Sequence, residues 1–267
     1  PAVERAETGE AQAMDAGFGR ALAWVGKQMG VRVVVCVPES VLPHKIAAIR
    51  ASGAEVRVVG ADQDSAEAEA MAMAEREGLS WVSPFDDPWV IAGQGTIGLE
   101  ILDELPQVNM VLAPLSGGGL LGGIALAVKS ASPQIRTIGV AMERGPAMVA
   151  SLAAGKPVQL PEEATLADSL VGGIGMDNHY TFDLVRRVVD ETVLVSEEEI
   201  AHAMVYSLKH EKMVVEGGGA VALAAILASK VNVTGKTVAC VVSGGNVDME
   251  LLTHLVSEED KASGNAA

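Results

Sequence analysis

The sequence predicts an α/β protein built on parallel sheets, and three observations predict it. Short apolar runs alternate along the chain with amphipathic segments long enough to be crossover helices. Hydrophobic residues make up 49% of the chain and aromatics only 3%, beside 29 glycines, so aliphatic side chains must fill the interior. That economy suits strands covered by helices on both faces. Finally, Asn109–Gly123 reads as an apolar strand that runs through Ser116-Gly-Gly-Gly-Leu120 into a helix. Three consecutive glycines leave main-chain N–H groups unshielded at the positive end of that helix, a cup suited to phosphate or another small anion.

The elements follow in order. Val31–Val37 is an apolar strand, and Pro43–Ala51 a helix that begins at a proline. Ser52-Gly53 makes the turn into a strand at Glu55–Val59. An alanine-rich helix at Ala66–Glu77 and a short strand at Ser80–Ser83 come next. A long helix at Val90–Leu105 precedes the strand Val108–Leu115 and the helix Leu120–Ser130. Then come a strand at Arg136–Met142 and a helix at Pro146–Ala153. After a polar stretch, Thr181–Val189 is helical and Thr192–Val195 extended. Ser196 followed by three glutamates has the form of an N-cap with acids in the first turn, opening a helix to about Lys209. Gly219–Ser229 is helical, Thr237–Val242 a strand, and a last helix starts near Asp248. Residues 1–16, rich in Ala and Glu with few branched apolars, are not expected to join the pattern. The polar residues 257–267 are expected to be a flexible tail.

Composition narrows the function classes. A formal net charge of −16 opposes binding to nucleic acid or an anionic membrane surface. No apolar stretch reaches the roughly 18 residues of a membrane span, and no apolar segment of a secretory signal opens the chain. Cys36 and Cys240, each inside an apolar strand, read as core thiols in a reducing, cytoplasmic protein. The five histidines have no zinc-site spacing, so no metal is assigned.

Glycine clusters recur at Val171–Gly175, Glu216–Ala220 and Ser243–Asn246. Two strands end in Ser-Gly-Gly, at Ser116 and Ser243, and both turns are expected to face one crevice beyond the strand ends. Ser243 offers a hydroxyl and Glu216 a carboxylate there. The competing readings are a helix N-cap for Ser243 and a solvated surface acid for Glu216. Gly117, Gly119 and Gly122 also satisfy a dinucleotide fingerprint, with Glu143 about twenty residues on as the ribose partner, which would make a nicotinamide-dependent oxidoreductase.

From Gly19 to about Leu252 the sequence resembles the pyridoxal-phosphate-dependent serine/threonine dehydratases of fold type II. The strings that carry the resemblance are Ile49-Arg-Ala-Ser-Gly-Ala-Glu-Val56, Pro84-Phe-Asp-Asp-Pro88, Ala92-Gly-Gln-Gly-Thr96 with Leu99-Glu100, and Ser116-Gly-Gly-Gly-Leu120. Ala167-Asp168, Glu216-Gly-Gly-Gly-Ala220 and Ser243-Gly-Gly-Asn246 continue it. Met142–Gly145 and Ala167–Gly175 look closest to hydroxyectoine utilisation dehydratases. The resemblance implies a tryptophan synthase β-like α/β fold with two parallel-sheet, three-layer domains: a smaller one at 19–105 and a larger, cofactor-binding one at 106–256. It implies pyridoxal 5'-phosphate held at Ser116, Gly117, Gly118, Gly119 and Leu120, with Ser243 on the ring nitrogen and Glu216 beside cofactor or substrate. The implied reaction is deamination of a threonine- or serine-like or hydroxyectoine-derived amino acid, and a homodimer is the implied assembly. The family's cation site would begin at Glu143, but Val149 stands where some members have a second carboxylate.

Two departures qualify the implied activity. No lysine here has the Ser-Phe-Lys-x-Arg-Gly setting of the family's Schiff-base lysine; Lys27 falls at a helix end and Lys45 at a family position on a surface helix. The family's asparagine and histidine before Arg20 are Gly17 and Phe18 in this chain. Residues 1–18 are therefore expected to be a non-matching segment, the fold to be N-terminally incomplete, and the chain to carry no catalytic base of its own. A non-catalytic protein of the same fold, binding a phosphate-bearing ligand without turnover, is the alternative.

Overall fold

The computed structural model describes residues 10–13 and 16–264. Among these described residues, eight strands form two four-stranded sheets, parallel throughout. The first contains β1 (Glu10–Ala13), β2 (Val33–Val37), β3 (Glu55–Val58) and β4 (Ser80–Trp81), in the order β3-β2-β1-β4. The second contains β5 (Met110–Pro114), β6 (Arg136–Met142), β7 (Glu191–Val195) and β8 (Val238–Cys240), in the order β7-β6-β5-β8.

Each sheet is the middle of three layers, because alternate residues of a strand face opposite sides. In β2, Val33, Val35 and Val37 pack on Leu22 and Ala23 of α1 (Ala16–Met29) and Ile49 of α2 (Pro43–Ala51). Val34 and Cys36 face Ala66, Ala70 and Met73 of α3 (Gln63–Glu77). In β5, Met110 and Leu112 share a core with α8 (Glu197–Tyr206) and α9 (Gly217–Leu227), while Val111 and Ala113 pack on Leu121 and Ile124 of α5 (Gly119–Ala131). A strand buried on both faces is apolar at every position, which is why β2 and β5 read as unbroken hydrophobic runs.

Other elements fall where the sequence placed them, with local corrections. Asp62 and Asp87 cap α3 and α4 (Pro88–Glu104) by accepting backbone N–H groups, and Ser196 with Glu199 forms a reciprocal capping box on α8. The helix expected to reach Lys209 stops at Tyr206 and gives way to a π turn at Ser207–Glu211, closed by Lys212 at φ +61°.

Three expectations change. The segment 1–18 supplies β1, whose residues Glu10–Ala13 register with Val33–Cys36 between β2 and β4; a run without branched apolars is recruited because it completes two hydrogen-bond ladders. The rest of that expectation, at residues 1–9 and 14–15, lies outside the described residues. Residues 257–264 are not a loose tail but the last turns of α10 (Met249–Gly264), held to α8 and the π turn by His202–Glu259 (3.0 Å) and Lys209–Asp260 (2.6 Å); residues 265–267 lie outside the described residues. A boundary at residue 105 would place α4 with the first sheet, yet Ile97, Ile101 and Leu102 pack it into the core of the second, beside α5. No helix among the described residues is long and apolar enough to cross a membrane.

Candidate active site

Because β5 and β8 are parallel neighbours, the turns after them leave the same edge of the sheet. A cleft of about 1050 Å³ opens there, and its wall includes the whole turn from Ser116 to Leu120 together with Glu216 and Ser243. Open parallel sheets bind ligands at this edge.

The glycine turn is shaped by what lies behind it. Gly118 has φ +91°, a conformation that L side chains rarely adopt, and caps the 13-residue α5. A Cβ on it would come 2.8 Å from the Met148 side chain and 2.9 Å from that of Val185. At Gly117 a Cβ would collide with the Phe85 ring. The space of the missing side chains is therefore filled by Phe85, Met148 and Val185, and the three glycines themselves offer the cleft only main chain, with Phe85 beside them in its wall. The N–H groups of a first helical turn have no partner inside the helix, so they remain available to a ligand. Ser116 contributes differently from its flanking glycines: its hydroxyl donates to the Leu170 carbonyl at 3.0 Å, tying the turn to the segment opposite.

Glu216 packs on the turn that carries Ser243. The Glu216 N–H donates to the Gly244 carbonyl at 3.1 Å, and its carboxylate lies so close over Gly244 that a Cβ there would collide with Oε1. Glu216 occupies the N-cap position of α9 and is half-buried, not a solvated surface acid. Ser243 is exposed on the cleft wall. It is not a helix cap, since α10 begins at Met249 and Asp248 caps it by accepting the Glu250 N–H at 2.8 Å.

Lys45, expected on an exposed helix surface, is instead buried in the cleft wall. Its ammonium lies 2.6 Å from Asp168 Oδ2, and it is the only lysine or arginine lining the cleft among the described residues. Its partner comes from the second sheet's side, on a single 3₁₀ turn at Asp168–Leu170. The sequence carried a signal for this: Lys45 is one helical turn before the fully buried Ile49, on the same face of α2. Phe18, where the resemblance would have histidine, also lines the cleft.

The dinucleotide reading is not supported by the geometry. Glu143 is exposed outside the cleft, 3.6 Å from Lys230, and Gly122 is packed against Leu184 between α5 and α7 (Thr181–Val188).

Comparison with known proteins decides between the cofactors. A sequence profile described as "Pyridoxal-phosphate dependent enzyme" matches residues 4–244. The chain belongs to the pyridoxal-phosphate dependent enzyme family. The match begins well before Gly19, so most of the segment read as foreign lies inside the family's span. Among its relatives are a putative threonine dehydratase of Sinorhizobium fredii, 49% identical over 90% of this chain and 72% of that protein, and an L-threonine ammonia-lyase of Geobacter sulfurreducens, 46% identical over 91% and 60%. The chain thus spans between about three-fifths and three-quarters of the length of these relatives. Similar solved structures include the processed form of threonine deaminase isoform 2 from Solanum lycopersicum (TM-score 0.83, 32% identity, 95% of this chain and 74% of that one) and maize serine racemase (TM-score 0.85, 29% identity, 98% and 80%).

This family member takes pyridoxal phosphate as its cofactor and stands among the family's threonine dehydratases and ammonia-lyases. The residues present fit the group. A side-chain-free turn opens a helix in the wall of a cleft roomy enough for a small cofactor and an amino acid. The Ser243 hydroxyl after β8 and the Glu216 carboxylate at the start of α9 stand in the same wall.

Proposed function

We propose that this chain forms the cofactor-holding cleft of a pyridoxal-phosphate-dependent dehydratase acting on a hydroxy amino acid such as threonine or serine. The convergence of the Ser116–Leu120 turn, Glu216 and Ser243 on one cleft carries the reading, and relatives named threonine dehydratase and threonine ammonia-lyase support the substrate class. When bound, the cofactor supplies an electron-withdrawing ring that acidifies the α-carbon of an attached amino acid. The chain's own residues would do the rest by position. Main-chain N–H groups of Gly117–Leu120 would take the phosphate charge. Ser243 would meet the ring nitrogen with a neutral hydroxyl, which leaves that nitrogen free of a fixed proton and favours elimination over transamination. Glu216 would hold its carboxylate beside the ring.

The reading includes low turnover from these 267 residues. Lys45 is the one lysine in the cleft among the described residues and its ammonium is paired with Asp168, so no amine stands ready there to move the α-proton, and general-base help is worth about 10²–10⁴-fold. The test incubates the protein with pyridoxal phosphate, then with threonine, serine or a hydroxyectoine-derived amino acid, and measures retained cofactor and 2-oxo acid. Retention of pyridoxal phosphate in preference to pyridoxal, with slow formation of 2-oxo acid, is expected. Failure to retain the phosphorylated form preferentially would remove the glycine turn from the site. Turnover comparable with a full-length relative would assign a base within the chain, Lys45 first.

A further inference from the structure

The segment Pro84–Pro88 joins β4 to α4 and has no part in the proposed chemistry, yet it packs on the glycine turn at two glycines, with Pro84 and Phe85 themselves in the cleft wall beside the turn. The ring of Phe85 fills the space where a Cβ of Gly117 would lie, within 2.7 Å of three ring carbons, and the Phe85 main chain covers Gly119 at 2.8–2.9 Å from such a Cβ. The next residue, Asp86, turns its carboxylate the other way and accepts three consecutive N–H groups, from His179 (2.7 Å), Tyr180 (2.9 Å) and Thr181 (2.8 Å), at the head of α7. That helix presses Thr181 and Val185 against Gly118. Asp87 then accepts the Trp89 and Val90 N–H groups and starts α4. One five-residue strut therefore sets the glycine turn against both α7 and α4.

We propose that Phe85 and Asp86 are positioning residues for the phosphate cup: Phe85 fixes the main chain of Gly117–Gly119 by packing against it, and Asp86 anchors α7, which backs Gly118. The inference rests on the reading that this turn holds the cofactor phosphate. Hydrogen bonds from a preformed row of N–H groups to a dianion depend steeply on their mutual geometry, and a cup released from its backing must be ordered by the ligand at the ligand's expense. Phe85 and Asp86 should thus govern affinity for the phosphate end far more than for the ring.

The experiment compares dissociation constants for pyridoxal phosphate, pyridoxal and inorganic phosphate among the wild type, Phe85→Ala, Phe85→Leu, Asp86→Ala and Asp86→Asn. In Phe85→Ala and Asp86→Ala, pyridoxal phosphate and inorganic phosphate should each bind about tenfold more weakly, the loss of roughly one charge-assisted hydrogen bond, while pyridoxal is much less affected. Leucine, which still fills the space, and asparagine, which still accepts, should recover much of the loss. A double-mutant arm gives an independent readout. Gly117→Ala should be severe with Phe85 present and nearly without further effect in Phe85→Ala, because the collision is with that ring. Equal weakening of pyridoxal and pyridoxal phosphate, or additive effects of Gly117→Ala and Phe85→Ala, would overturn the positioning role. A wild type that binds pyridoxal as tightly as pyridoxal phosphate would instead overturn the underlying phosphate reading.

Discussion

Replacing Asp168 with alanine should destabilise the protein more than replacing Lys45 with methionine, although both changes break the same ion pair. The side chain of Lys45 is 10% exposed and that of Asp168 is 44% exposed. Removing Asp168 leaves a buried ammonium in the cleft wall without its direct ion-pair partner. Breaking a fully buried pair from one side costs about 3–5 kcal/mol, and water in the cleft recovers part of that, leaving about 2 kcal/mol. Removing Lys45 leaves a carboxylate that water already reaches, in the range of about 0–1 kcal/mol for exposed pairs, and methionine keeps an apolar stem in the buried space of the lysine. The difference of about 1.5 kcal/mol should separate the two melting temperatures by roughly 3–6 °C for a chain of this size. Thermal unfolding followed by circular dichroism, with the double variant included, makes the comparison. If Lys45→Met is as damaging as Asp168→Ala, the ammonium is not the buried partner and the electrostatic account of this contact between the two sheets is wrong.

Other consequences follow from single contacts. Gly118→Ala should weaken cofactor retention as much as Gly118→Asp, because a Cβ at φ +91° points at Met148 and Val185 and not into the cup; dialysis of both variants with pyridoxal phosphate would show a much worse Asp variant if charge in the cup were the cause. Burial pushes the thiols of Cys36 and Cys240 up to about 11, so neither should react with a thiol reagent at pH 8 until denaturant is added, and a fast native-state reaction would contradict that burial. Burial pushes the Asp190 carboxyl up, but the Lys129 ammonium and the Thr137 N–H and hydroxyl outweigh it and hold the carboxyl below its usual range. Its stabilisation is present above the unfolded carboxyl value of about 3.9 and is lost as pH falls through the lower folded value. Asp190→Asn should therefore lose less stability than the wild type between pH 6 and pH 3 in urea titrations, and parallel curves would refute this.

Much of the fold was legible because it rests on local regularities. Parallel strands buried on both faces must be apolar throughout, as in Val33–Val37 and Met110–Pro114, and caps such as Ser196 with Glu199 advertise their helices in four residues. Glu10–Ala13 escaped notice because a short central strand can be selected by the ladders on either side of it and not by its own side chains. The polar stretch 257–264 misled because its contacts lie on α8 and the π turn, some fifty residues away. At the candidate site the division is similar. The glycine turn and its anion-binding character were readable from Ser116–Leu120 alone, since missing side chains and a following helix are local facts. Only the tertiary structure brought Phe85 onto Gly117, Asp86 to the head of α7, and Lys45 to Asp168 in the cleft wall. Such contacts join residues tens to more than a hundred positions apart, and no period or spacing in one sequence records which distant groups meet. They decide how rigidly the cup is held and whether an amine in the cleft is available, so they decide what the same motif can do.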